Sequence, residues 1–234
     1  MKTTHTVTTE ELDTAANRPV LERSLLNTPV VIDSLELLQK DNNYYVHVKS
    51  TDGAEGLGFT NGRAKYYYPI LNNLIIPYFI GKDARDLEEH LWGVYRYSSN
   101  YKVLGQALWC PVAWVELAIL DMLGRVIKRS IADLLGGAVR ESAPFYIASG
   151  RRDSTPEEEV VHLQSLVDET QAPAIKFRVG GRMSKNEDAS PKRTPRLIEL
   201  SRKIFGDGME IHADANSTYD PCQAIEVGRM LESI

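Results

Sequence analysis

The sequence predicts an α+β domain followed by a region of strands and helices that builds a parallel sheet. Three observations carry this prediction: β-rich runs around tight turns in residues 30–59, strongly apolar helical patterns after them, and strand–helix alternation beyond Glu141. A chain of 234 residues that is 43% hydrophobic can bury a core in each region. We therefore predict an N-terminal arm at 1–29, an α+β domain at 30–142 and β/α units at 143–234.

The α+β domain begins with a predicted three-stranded antiparallel meander. Residues 30–38 and 44–49 are β-rich and flank the turn Asp41-Asn42-Asn43. Asp52-Gly53 favours a second tight reversal, after which a short third strand ends at Phe59. The residues before this meander are polar and interrupted by prolines, so we expect a loosely attached arm there.

Helical patterns follow the meander. Asp83 is a candidate N-cap for a helix with one apolar face, formed by Leu87, Leu91, Val94 and Tyr95. From Pro111 to about Lys128 the sequence is apolar nearly all round, which predicts a helix buried on most sides. Ser130 and Asp133 predict the start of a short helix that ends before a glycine pair.

The second region alternates between strands and helices. Strands are predicted at 143–148, 174–179 and 209–213, and helices at 156–169, 195–205 and from 221 onward. This order implies right-handed parallel βαβ units, in a barrel or in an open doubly wound sheet. Three parallel strands cannot close a barrel, so we expect a chain that is truncated or one that another chain completes.

Composition excludes several classes of function. The net charge of −5, without a basic cluster, argues against nucleic-acid binding. The sequence shows no secretion signal and no uncharged apolar run long enough to predict a membrane span. Cys110 and Cys222 lack the spacing of a zinc site or a disulfide framework, so we expect reduced thiols and a cytoplasmic location.

Polar residues at the carboxyl ends of the predicted strands are the candidate site. Lys176 and Arg178 share one side of their strand, and Asp214 and Asn216 share one side of the next, because side chains alternate with period two. A carboxylate would then face two cations. An internal salt bridge explains this pattern as well as a ligand site does. His212 lies one layer deeper, and we predict a hydrogen-bonded core histidine there.

Four stretches resemble the mandelate racemase and muconate lactonizing branch of the enolase superfamily: 45–58, 113–125 with 134–137, 175–178 and 214–216. The last two are similar to the family's Lys-x-Lys strand and first metal-ligand strand. The resemblance implies an α+β capping domain, with its three-stranded meander and helices, followed by a TIM-like β/α barrel that is incomplete here. It also implies a Mg²⁺ cofactor with Asp214 as the first of three carboxylate ligands, and Lys176 beside a substrate carboxylate. Asn216 would support the metal strand or contact the substrate.

The resemblance implies removal of a proton alpha to the carboxylate of a small acid, with metal and cations stabilising the enediolate. Arg178 stands where many relatives have a basic lysine. Because a guanidinium stays protonated, we predict that Arg178 binds and polarises the substrate. A dehydratase can work with one acid/base group, which favours a sugar acid dehydratase over a racemase or epimerase. A racemase, epimerase or cycloisomerase of the same superfamily is the alternative. A catalytically incomplete assembly or binding module is the alternative from another class.

In this family, loops of the capping domain close over the barrel and select the substrate. Residues 60–68 are the candidate loop, with Arg63 and Tyr66 as substrate-binding residues. Tyrosines that simply pack on the domain surface would give the same sequence pattern. The expected partners are a small carboxylate substrate and either further copies of this chain, in a homo-oligomer, or a chain that supplies the rest of the barrel.

Overall fold

The computed structural model describes residues 7–234, which fall into two units that divide after Val139. Helix α1 (Thr9–Asn17) starts at a capping box formed by Thr8 and Glu11 and buries none of its residues. Leu21 and Leu26, by contrast, lie in the core of the first unit. The predicted loose arm is therefore too long: these two leucines bury apolar surface and fix the segment that carries them. Residues 1–6 of that arm lie outside the described residues.

The first unit contains the predicted antiparallel meander, in the order β1-β2-β3. The strands are β1 (Ile32–Lys40), β2 (Asn43–Ser50) and β3 (Glu55–Phe59). A tight turn joins β1 to β2 and places Asp41 at φ +54°. Asparagine and aspartate tolerate this left-handed conformation better than most residues, which is why the turn was readable from sequence.

Helix α5 (Gln106–Ile127) packs on the sheet and is the centre of this core. It starts before Pro111, which was predicted as its first residue. The earlier start is explained by packing, because Leu108 is fully buried and its burial offsets the disfavoured proline inside a helix. By length and composition α5 could cross a membrane, but 61% of its most apolar window is buried inside this unit.

The other helices of the first unit are short. They are α2 (Ala64–Ile70), α3 (Ile76–Phe79), α4 (Leu87–Arg96) and α6 (Ile131–Leu134), with a π-helical segment Leu71–Ile75 between α2 and α3. Residues 60–68, predicted as a loop, are thus helical from Ala64, whose side chain is fully buried. Asp83 caps a 3-10 turn, Ala84–Asp86, that leads into α4.

The second unit contains a parallel sheet in the order β4-β5-β6, as predicted. Its strands are β4 (Tyr146–Ala148), β5 (Ala174–Arg178) and β6 (Glu210–Asp214). Each strand is followed by a helix: α7 (Pro156–Thr170), α8 (Arg193–Phe205) and α9 (Pro221–Glu232). Apolar side chains of the strands and helices pack around Phe177 and Leu197. This is the architecture of a partial TIM-like barrel.

Candidate functional site

The carboxyl ends of β5 and β6 bring Lys176, Arg178 and Asp214 together. Arg178 is the register neighbour of Asp214, and Lys176 is the neighbour of His212 one layer below. One Asp214 oxygen, Oδ2, accepts a hydrogen bond from Arg178 Nη1 and lies 3.6 Å from Lys176 Nζ. The three side chains are each between 21% and 28% exposed. Two cations and one carboxylate therefore share a site that solvent can still reach.

The second oxygen of Asp214 faces the backbone after β6. Oδ1 accepts the N–H of Asn216 at 3.0 Å. Desolvation raises the pKa of the Asp214 carboxyl, but this hydrogen bond and the charges of Arg178 and Lys176 outweigh it and lower the pKa below its ordinary value. Asp214 is therefore an anion at neutral pH and is held by several partners.

Asn216 contacts an arginine that the sequence analysis missed. Its backbone is left-handed, with φ +48°, and its side-chain Oδ1 accepts a hydrogen bond of 3.0 Å from Arg152 Nη2. Arg152 lies in the loop after β4, and its Nε donates to Gly180 O at 3.1 Å. One side chain thus connects the loops that follow all three strands. The sequence signal for Arg152 was its position in the loop just after a predicted strand.

Tyr146 is a second residue of the site that the sequence analysis missed. Lys176 Nζ donates to its hydroxyl at 3.1 Å and lies 4.7 Å from the centre of its ring. The ring of His212 is 5.6 Å from that of Tyr146, and His212 Nε2 lies 3.1 Å from Glu210 Oε1. The predicted core histidine is wrong for this structure, because the His212 side chain is 43% exposed; within the described residues β6 has a strand on one side only.

A buried arginine supports the loops around the site. Arg193, at the start of α8, is 1% exposed. Its Nε and Nη1 donate to the carbonyls of Ser154 and Arg178, both at 2.9 Å, and Nη2 reaches Ser154 Oγ at 3.3 Å. Ser154 Oγ in turn donates to the buried carboxylate of Glu159 at 2.8 Å. This network holds the carboxyl end of β5 in place, and Arg178 is the last residue of that strand.

Arg63 and Tyr66 belong to the first unit. Arg63 precedes α2, and its backbone N–H donates to Asn61 Oδ1 at 2.9 Å. Tyr66 is 67% exposed, with Lys65 Nζ 4.9 Å from its ring centre. Both residues lie on the surface of that unit and are accessible to a ligand.

The described residues supply one candidate ligand for Mg²⁺, Asp214, and do not form a complete magnesium site. Asp214 offers carboxylate oxygens, which Mg²⁺ prefers. Within residues 7–234, however, no group of three histidine, cysteine, aspartate or glutamate side chains is placed to hold a metal ion. Asp214 is instead paired with Lys176 and Arg178, as an internal salt bridge requires.

The family follows from two matches that cover most of the chain. Residues 19–136 match the family model for the mandelate racemase/muconate lactonizing enzyme N-terminal domain. Residues 158–234 match the model for an enolase C-terminal domain-like region. The chain therefore belongs to the mandelate racemase/muconate lactonizing enzyme branch of the enolase superfamily. Its α+β unit corresponds to the capping domain, and its parallel β/α unit to part of the barrel.

Individual relatives are more distant. The chain is 29% identical over 209 residues to a D-mannonate dehydratase of Xanthomonas oryzae pv. oryzicola, covering 79% of this chain and 49% of that protein. Two further curated relatives are described as a D-galactonate dehydratase family member and an arabinonate dehydratase. The chain thus spans about half the length of the curated relatives it matches.

Solved structures show the same fold. A racemase candidate from Roseobacter denitrificans is 33% identical, with a TM-score of 0.79 over 87% of this chain and 55% of that one. A mandelate racemase/muconate lactonizing protein from Paracoccus denitrificans, in complex with magnesium, is 23% identical, with a TM-score of 0.76 over 87% of this chain and 56% of that one.

Proposed function

We propose that this chain carries the carboxylate-binding part of an active site for magnesium-dependent removal of a proton alpha to a carboxylate, and that the whole reaction is the dehydration of a sugar acid. The observation that carries the proposal is the placement of Lys176 and Arg178 beside Asp214 at the carboxyl ends of neighbouring parallel strands. In β/α barrels that end of the strands is where active sites are built.

Lys176 and Arg178 have the chemistry to hold a substrate carboxylate. Both cations are partly exposed, and both contact the same oxygen of Asp214. A bound substrate carboxylate would give their N–H groups two further hydrogen-bond acceptors. Tyr146 keeps the Lys176 ammonium in place through its hydroxyl and its ring. Positive charge next to the carboxylate favours the enediolate that forms when the α-proton leaves. Arg63 and Tyr66 remain our proposed substrate contacts from the capping domain.

Asp214 is proposed as one ligand of Mg²⁺. The ion, when bound, would stabilise negative charge on the substrate carboxylate. One carboxylate next to two cations is a weak magnesium site, and in this proposal the remaining ligands come from outside the described residues. We therefore propose that the 234-residue chain by itself binds the acid without converting it.

Arg178 favours dehydration over inversion. A racemase needs an acid/base group on each face of the α-carbon, and an arginine is a poor proton acceptor because its guanidinium stays protonated. A dehydratase can use one group, first as base and then as acid toward the departing hydroxyl. The curated relatives described as sugar acid dehydratases point to the same reaction.

Two other functions have observations in their favour. A racemase or epimerase is the second candidate, because the Roseobacter structure, described as a racemase candidate, is 33% identical to this chain. A binding or assembly module is the candidate from another class, because the described residues contain no group of three side chains placed to hold a metal ion.

Proton NMR of a sugar acid in D₂O, with the purified chain and Mg²⁺, tests the proposal. D-mannonate is the probe, and D-mannitol, which has a hydroxymethyl group in place of the carboxylate, is the matched control. We expect line broadening of the acid but not of the alcohol, and no conversion.

Each other outcome decides between the candidates. Formation of an α-keto acid by the chain alone would show that its own residues complete the site. Inversion at the α-carbon with all hydroxyls retained would support the racemase. Equal line widths with and without protein would contradict the proposed function.

A further inference from the structure

Within residues 7–234, Arg152 is a charged side chain without a charged partner. It is half-buried, and both of its hydrogen-bond acceptors, Gly180 O and Asn216 Oδ1, are neutral. Among the residues that the structure describes, no carboxylate lies within ion-pair distance of it. A partly buried guanidinium without a counter-charge is unfavourable, which suggests that an anion normally occupies the space beside it.

The surroundings of Arg152 are strongly cationic. Desolvation lowers its pKa, and the charges of Arg178, Arg182 and Arg193 lower it further, while only Asp214 acts in the opposite direction. Lys176 adds another positive charge next to Asp214. Of the neighbouring charges that act on Arg152, three are cationic and one, Asp214, is anionic, so a bound anionic group beside Arg152 would be stabilised.

The cations form two groups on the two sides of Asp214. Lys176 and Arg178 contact Oδ2, whereas Oδ1 faces Asn216, whose side chain contacts Arg152. The Arg152 guanidinium uses Nε and one N–H of Nη2, and within the described part of the chain its Nη1 donates no hydrogen bond. Adjacent free N–H groups on a planar fork match the two oxygens of a carboxylate or a phosphate.

We infer that Arg152 is a substrate-binding residue that recognises a second anionic group, so that the site takes a sugar acid with two anionic ends. This inference rests on the proposed function, in which Lys176 and Arg178 hold the carboxylate next to the reacting carbon. The second group is a carboxylate, as in an aldarate, or a phosphate on the far end of an aldonate.

Isothermal titration of the full chain with three six-carbon acids tests the inference at one fixed ionic strength. The acids are D-mannonate, the corresponding aldarate D-mannarate, and 6-phospho-D-mannonate. We expect at least one doubly anionic acid to bind about tenfold more tightly than D-mannonate, since one charge-assisted hydrogen bond accounts for that factor. In Arg152→Gln we expect this preference to disappear while D-mannonate affinity stays within about threefold of the original.

Arg196→Gln is the matched control, because Arg196 is an exposed arginine of α8 whose loss changes the net charge equally. It should keep the full preference. Which doubly anionic acid gains affinity identifies the second group. Equal affinity for all three acids in the unmodified chain, or an equal loss for all three in Arg152→Gln, would overturn the role of Arg152 and leave the proposed function intact. Absence of binding by all three acids would overturn both.

Discussion

Gly56→Ala is expected to destabilise the first unit by about 3 kcal/mol or more. Strand β3 approaches α5 so closely that a Cβ on Gly56 would lie within 3.0 Å of backbone atoms of Ala118 and Met122. Neither backbone can move without displacing the buried face of α5, which contains Ala118, Ile119 and Met122. A single methyl group is therefore expected to separate the sheet from its main helix.

Urea unfolding followed by tryptophan fluorescence measures this effect, because all three tryptophans of the chain, Trp92, Trp109 and Trp114, lie in the first unit. Gly62→Ala is the control: a Cβ there would have no heavy atom within 4 Å, and its backbone is not in the left-handed region. We expect it to unfold at nearly the original urea concentration. Equal midpoints for Gly56→Ala and Gly62→Ala would show that β3 does not pack on α5 as described.

Arg193→Met is expected to destabilise the second unit by about 3 kcal/mol or more. Methionine keeps part of the side-chain volume but leaves the carbonyls of Ser154 and Arg178 without their donors inside the protein. The buried Glu159 would keep its direct ion pair with Arg151, but Ser154 Oγ, which donates to it, would lose the hydrogen bond from Arg193. The loops around the candidate site are expected to loosen together.

Amide hydrogen exchange measured on peptides that contain β5 reports this loss. Faster exchange at 174–178 is expected in Arg193→Met, because the anchor of the strand end is removed. Arg196→Met is the control on the same helix, where the arginine is exposed and pairs with the surface residues Glu157 and Glu199. Unchanged exchange in Arg193→Met would mean that the buried network contributes little to this unit.

The sequence predicted the regular parts of the fold because their signals are local. Period-two alternation located β5 and β6 to within about a residue, and this parity alone put Lys176 and Arg178 on one side of a strand opposite Asp214. Turn residues such as Asp41 and the capping box at Ser130 marked element boundaries for the same reason.

The missed features depend on tertiary contacts. The start of α5 is determined by burial of Leu108, which overrides the breaking signal of Pro111. Arg152 and Arg193 work through carbonyl groups of loops, and such acceptors leave no pattern in the sequence. In the sequence, Tyr146 has the pattern of an ordinary strand residue. Its contact with Lys176 is visible only in the structure, because the long Lys176 side chain reaches the Tyr146 hydroxyl from the neighbouring strand.

We propose that Lys176 and Arg178, beside Asp214, bind the carboxylate of a sugar acid. Titration of D-mannonate into Lys176→Met and Arg178→Met tests it most directly, with Lys203→Met, an exposed residue of α8, as the charge-matched control. We expect a loss of affinity of about tenfold or more in both site variants and none in the control. Affinities equal to that of the unmodified chain in both site variants would contradict it.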